Sequence, residues 1–220
     1  MLPSWPASSW NLPRGLLRYT ASGNPLPKMV SAEQHPVAIR NFLAARAGQS
    51  TRLRLATIAD SEFILALRLD PTRSAYISAT SVSLTDQREW MAAYIARFEA
   101  GLEAYFIIQH DGKDVGTVRL YDYRPATDTF CWGSWIIKPG THAWAGMLTP
   151  VLVYDIAFMG LGYNSAYFDV RKGNATVWKF HEIMGAELIG EDALDRRYTY
   201  ARSKYPAGRA RLLRLIGISL

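Results

Sequence analysis

One cysteine, Cys131, is all that this 220-residue chain contains. An internal disulfide is excluded, as is a zinc site built from thiolates; no metal is expected, and a reducing, cytoplasmic setting is. Unbroken apolar runs are also scarce. None approaches the roughly 18 residues needed to cross a bilayer, so no membrane span is expected. Acidic residues are the minority charge, 19 Asp and Glu against 25 Lys and Arg, and the net charge of +6 favours anionic ligands. The basic residues are spread along the chain with no nucleic-acid motif beside them, so nucleic acid is not expected as a partner. What is present, 49% hydrophobic and 20% charged residues, suits one domain with a full-sized core.

The first 50 residues differ from the rest. Their early part is rich in Pro, Ser and Trp, carries Arg14, Arg18 and Lys28, and has no acidic residue before Glu33. An irregular extension is expected there. Gly15-Leu16-Leu17 is too short for the apolar core of a signal peptide. A short helix is expected over 31–46, on Val37, Ile39, Phe42 and Leu43, with Pro36 near its beginning.

From Arg52 the pattern becomes regular. Arg52-Leu53-Arg54-Leu55-Ala56 alternates as a strand does, and Asp60 or Ser61 can cap a helix carrying Phe63, Ile64, Leu67 and Leu69 that Pro71 stops. After a polar loop through Tyr76 and Ser83, a helix opening at Thr85 carries Trp90, Met91, Tyr94, Ile95 and Phe98. Strands over 105–108 and 115–121 flank a turn at Asp111-Gly112 and form an antiparallel pair. The pattern predicts a folded unit over 51–204. It also predicts a basic amphipathic helix over 205–220, on Arg209, Arg211 and Arg214 among Leu212, Leu213, Leu215 and Ile216, packed on the domain rather than on a membrane.

The chemistry concentrates between Phe130 and Gly185. An apolar strand over 130–137 leads into a turn-rich Lys138-Pro139-Gly140-Thr141-His142 and a helical run to Met159. Pro150 in that run predicts either a kink or a late start with Thr149 as cap. A second strand, over 166–170, precedes Arg171-Lys172-Gly173-Asn174. Asn174 suits the N-cap of a helix that passes Trp178, Phe180 and His181 and closes at Gly185. Such a strand, loop, helix, strand, helix unit can offer several backbone N–H groups to one anion.

This order and spacing resemble the GNAT superfamily of acyl-CoA-dependent N-acyltransferases over about 52–204. Ala157-Phe158, Val170, Asn174, Phe180-His181-Glu182 and Gly185 stand at the family's positions. The family's pyrophosphate loop has Arg or Gln, two variable residues, Gly, one variable residue, then Gly or Ala. Those places fall on Thr141, Trp144 and Gly146, and only the last matches. The resemblance implies an α+β fold, a mixed, mostly antiparallel sheet of six to seven strands flanked by helices, with splayed central strands.

It further implies acetyl-CoA as co-substrate. Trp135, Ile136 and Ile137 would hold its arm; Thr141, His142, Ala143, Trp144, Ala145, Gly146 and Met147 would meet its phosphates, with Asn174 and Trp178 beyond. His181 stands where many members place the Tyr that protonates the departing sulfur, and an imidazolium is a competent acid near pH 7. The implied reaction is acetyl transfer to a primary amine of a small molecule by direct attack on the thioester. Arg73, Tyr76, Trp132 and Ser134 are expected around the acceptor. Segment 67–90 resembles the branch that contains ribosomal-protein N-terminal acetyltransferases and acetyltransferases of nucleotide-linked amino sugars. The amino sugar is preferred because the loop has no acidic cluster for a basic peptide; a protein N-terminus and a non-catalytic GNAT-like scaffold are the alternatives. A monomer or homodimer is expected. No general base stands on the Phe130 strand; Asp169 is a candidate, directly or through water, but pairing with Arg171 or Lys172 is the preferred reading.

Overall fold

The computed structural model describes residues 28–217 apart from Ala79; the expectations for residues 1–27 and 218–220 lie outside the described residues. Seven strands make one sheet: β1 (Thr51–Leu55), β2 (Ala104–His110), β3 (Lys113–Arg124), β4 (Thr129–Ile137), β5 (Ser165–Arg171), β6 (Glu187–Glu191) and β7 (Asp195–Ala201). Their order across the sheet is β1-β2-β3-β4-β5-β7-β6. Every neighbouring pair is antiparallel except β4 and β5. The α+β class, the strand number and the splay are those the sequence implied.

Short connections dictate the antiparallel parts. Asp111 and Gly112 both take positive φ, 48° and 76°, which is the tight hairpin geometry that reverses β2 into β3. A parallel pair instead needs a long crossover, and α5 (Ala143–Tyr154) supplies it between β4 and β5. The other helices are α1 (His35–Ala44), α2 (Ser61–Leu69), α3 (Pro71–Ser74), α4 (Leu84–Glu99), α6 (Ala175–Met184) and α7 (Tyr205–Leu215). Pro71 does more than stop α2. It opens α3, where Asp70 caps by accepting from the Thr72 amide at 2.8 Å and the proline needs no amide partner.

Two expectations about α5 are corrected. The helix does not start late at Thr149: it begins at Ala143 and runs through Pro150, continuing as a π-helical stretch over Asp155–Gly160. The Thr149 hydroxyl donates to the Ala145 carbonyl at 2.7 Å, one turn back. The whole run Ala143–Gly160 is 18 residues with mean hydropathy 1.3, long and apolar enough to cross a membrane, contrary to the expectation that no run approaches that length. It is 61% buried within the protein, because it fills the face of the sheet with Val151, Leu152, Tyr154 and Phe158.

Helix α7 packs on α5 and α6. Its Tyr205 hydroxyl donates to the Asp155 carboxylate at 2.7 Å, and the Arg209 guanidinium lies 3.4 Å from the same carboxylate, both buried. Gly208 permits this approach, since a Cβ there would fall 2.3 Å from the Tyr200 hydroxyl oxygen and 2.4 Å from the Met184 carbonyl oxygen.

The ladder that positions the site is the incomplete one. β4 and β5 pair at only two places, Thr129 with Ser165 and Phe130 with Ala166. Phe130 is 1% exposed and sits among the rings of Tyr154, Phe158 and Tyr163 at centroid distances of 5.4–6.3 Å, which locks that end shut. Past it the strands part.

Candidate active site

The parted strands wall a cavity of about 200 Å³ lined by Trp132, Gly133, Ser134 and Trp135 of β4 and by Phe168, Asp169, Val170 and Arg171 of β5. Consecutive residues line it on both strands because the cavity opens between two strand edges rather than on one face of the sheet. On the β4 side the ladder to β3 also carries a bulge. The β3 partners Thr117 and Arg119 face Ile136 and Gly133, so β4 carries one residue more than β3 between those rungs. Ser134 absorbs it with φ of 49°, a left-handed conformation held by the Thr117 hydroxyl, which donates to the Ser134 carbonyl at 3.1 Å. A non-glycine residue held this way costs roughly 1–3 kcal/mol, strain of a kind that clusters at binding and catalytic sites.

Helix α6 closes the cavity with Asn174, Val177 and His181, one face at helical spacing. Gly185, with φ of 102°, ends the helix as the sequence predicts. His181 is 3% exposed and packed against Phe168, Phe180 and Trp132, with ring centroids at 4.2, 5.3 and 5.5 Å. Burial pushes its pKa down to about 3, so the ring is neutral at pH 7. The expectation of an imidazolium acid is revised for that reason. Its Nδ1 meets no hydrogen-bond partner among the described residues.

The loop after β4 is the less open part. His142 caps α5 by accepting the Trp144 amide on Nδ1 at 3.3 Å, a bond that needs Nδ1 unprotonated. It thus uses one of the donors that a phosphate would seek. Ala145 donates to the His142 carbonyl at 3.0 Å. Thr141 is half-buried, His142 and Ala143 are exposed, and Gly146 abuts Ile137, whose Cγ1 would lie 3.8 Å from a Cβ added there. Trp144 packs edge-on to His142 at 5.3 Å rather than plugging the gap between the strands.

The remaining expected residues divide. Tyr76, Trp132, Ser134, Trp135, Asn174 and His181 meet in the one cavity, whereas Arg73 is exposed and does not line it. Ile136 is buried at 2% exposure, so its share in ligand binding is restricted to backbone. Met147 lines a separate apolar groove with Phe180 and Leu212. Trp178 donates to the Lys172 carbonyl at 3.1 Å and carries the Arg196 guanidinium over its ring at 4.1 Å.

A family model described as "Acetyltransferase (GNAT) domain" matches residues 51–187. The chain belongs to the GNAT acetyltransferase family. It is an acetyl-CoA-dependent N-acetyltransferase. Among solved structures it is similar to apo FdhC, a nucleotide-linked sugar GNAT, at 39% identity and TM-score 0.69, over 75% of this chain and 94% of that one. It shares its fold with the spermidine N-acetyltransferase of Vibrio cholerae solved with CoA and spermine, at 20% identity and TM-score 0.62, over 72% and 99%. A GCN5-related N-acetyltransferase from Brucella melitensis shares it too, at 16% identity and TM-score 0.61, over 74% and 81%. No match to a curated protein sequence was found.

For a GNAT acetyltransferase the residues around the wedge fit the co-substrate. β4 beyond Phe130 has backbone groups that β5 does not pair, and Trp132 to Trp135 line the gap. One expectation about this GNAT's acid–base residues is overturned. Asp169 does not pair with its neighbours: Arg171 binds Asp195 at 3.0 Å and Lys172 binds Glu191 at 3.2 Å. Arg197, opposite Asp169 in the ladder, lies 3.6 Å from Asp192. The carboxylate stands exposed on the cavity wall, near enough to Tyr121 and Cys131 to raise both pKa values, although burial is the larger cause in each and takes Cys131 to about 11. Sequence reasoning ranked pairing above a base role for Asp169 because the cations beside it were visible and the acids that claim them, on β6 and β7, were 19 and 24 residues away.

Proposed function

We propose that this acetyltransferase acts on a primary amine carried by a nucleotide-linked amino sugar. The observation that carries the reading is the Asp169 carboxylate, which has no cation partner among the described residues on the wall of the wedge, where an ammonium group completes the pair. The 39% identity with a nucleotide-linked sugar GNAT over 94% of that chain supports this acceptor class.

Acetyl-CoA supplies an activated acetyl thioester to the wedge. Asp169 orients the amine and accepts its proton, directly or through one water, a task worth on the order of 10²–10⁴ in rate. Backbone amides of Ser134, Trp135 and Ile136 are the candidate donors for the acyl oxygen, held in place before reaction by the bulge. Neutral His181 offers a ring N–H as a hydrogen-bond donor from the α6 side, and the Tyr76 hydroxyl borders the same space. The aromatic walls Trp132, Trp135 and Phe168 exclude water from the reacting groups.

Thiol release from acetyl-CoA, followed with UDP-linked amino sugars, spermidine and a short peptide with a free N-terminus, tests the acceptor. Turnover is expected to be fastest with a nucleotide-linked amino sugar. A preference for spermidine or the peptide overturns this acceptor class.

A further inference from the structure

A second cavity, of about 280 Å³, lies beside the wedge, lined by Arg68 of α2, Gln87 and Trp90 of α4, Tyr105 of β2 and Arg119 of β3. Two features join it to the first. Ser78 lines both cavities. The Arg119 guanidinium also lies between the rings of Trp90 and Tyr105 on one side and Tyr121, a wall of the wedge, on the other, at 5.1, 5.8 and 5.0 Å. Neither cavity alone reaches the roughly 300 Å³ at which small-molecule sites begin, and the two together do.

The charge in the second cavity is one-sided. Arg97 and Arg119 share a single carboxylate, Glu103, which is 5% exposed, while Arg68 donates to the Ser78 carbonyl at 2.8 Å. Two guanidiniums, Arg68 and Arg119, thus line the cavity, with no acidic side chain among its described lining residues. Arg119 directs one Nη at Glu103, and its buried Nε has no partner among the described residues. Buried donors of this kind are ordinarily satisfied, and a charged one demands an acceptor more strongly than a neutral one. Gln87, 6% exposed, adds an amide that can donate or accept. The set is fitted to an anion with several oxygens, and Trp90 adds an aromatic surface.

We infer that this second cavity binds the phosphate-bearing end of the acceptor, with Arg68 and Arg119 as its anchors and Ser78 at the passage to the amine at Asp169. The inference rests on the acceptor class proposed above and adds the part of the protein that selects it.

Binding of UDP and of inorganic pyrophosphate, measured calorimetrically at low salt with acetyl-CoA saturating, tests it. Wild-type protein is expected to bind UDP under these conditions. Arg68→Gln and Arg119→Lys, checked for unchanged melting temperature, are each expected to weaken UDP binding about 10- to 100-fold, the effect of losing a hydrogen-bonded charge contact. Each is also expected to raise KM for a nucleotide-linked amino sugar with a smaller change in kcat. UDP affinity and KM unchanged in both variants overturn the subsite, whatever the acceptor. UDP binding that depends on these arginines, in a protein that does not acetylate nucleotide-linked amines, upholds the subsite and removes the acceptor class instead. UDP that fails to bind the wild type with acetyl-CoA present also overturns the subsite.

Discussion

The two ends of the β4–β5 seam have opposite physics. At the closed end Thr129 and Phe130 are laddered to β5, and Phe130 is locked in a ring cluster with Tyr154, Phe158 and Tyr163. At the open end the same strand bulges, holds Ser134 in a left-handed conformation, and faces a β5 wall whose Asp169 carboxylate has no cation partner among the described residues. The closed end supplies stability and no chemistry; the open end gives up pairing and gains a site. The difference shows where the gap begins. Ring packing around Phe130 anchors the two strands at one end, and beyond it their ladder is absent.

If that division is right, substitutions at the two ends fail in different ways. Phe130→Ala should cost about 3–5 kcal/mol of stability, the usual loss for a buried phenylalanine, read by chemical denaturation. An effect on activity at temperatures where the variant stays folded would blur the division. Asp169→Asn should do the reverse. It is expected to lower kcat/KM by about 10²–10³ with little change in melting temperature, and a loss below tenfold would take the proton-accepting role away from Asp169.

His181 sharpens the comparison through pH. Its pKa is about 3 in the folded protein and about 6.5 in an unfolded chain. Because the folded value is the lower one, the unfolded chain takes up the proton first. Stability is therefore fully present above about pH 6.5 and falls as pH drops towards 3, by up to about 1.4 kcal/mol per pH unit. His35, also lowered by burial, acts with the same sign. His181→Phe should flatten the fall between pH 6.5 and 5, measured by denaturant midpoint; an unchanged slope means that His181 is hydrated and protonates normally. The smallest effect belongs to the rim. Arg171→Ala breaks a half-exposed pair with Asp195 and should cost at most about 1 kcal/mol. A large loss of stability there would mean that the β5 wall depends on its ion pairs rather than on its ladder to β7.

Much of this was legible in the chain, and the illegible parts share a cause. Strand alternation, the Asp111-Gly112 turn and the Gly185 cap are local signals, and they gave the element order and the helix face of Asn174 and His181. The wedge itself followed from resemblance to a family. The bulge was not legible, since Ser134 carries no glycine or asparagine signature for its positive φ. Nor were the partners of Arg171 and Lys172, which arrive from a distant hairpin, nor the burial that neutralises His181. Pro150 misled because a helix start was sought near it, whereas α5 is long enough to be held by packing on either side. Arg68 and Arg119, half-buried on separate elements, share a cavity only once the helices pack on the sheet.

The central claim is that acetyl-CoA occupies the open end of the seam. Amide hydrogen exchange, recorded with and without saturating acetyl-CoA, tests it most directly. The account predicts new protection at the amides of residues 131–137 that turn away from β3, with those of β2 unchanged. Protection confined to other segments, with the β4 amides exchanging as before, would contradict it.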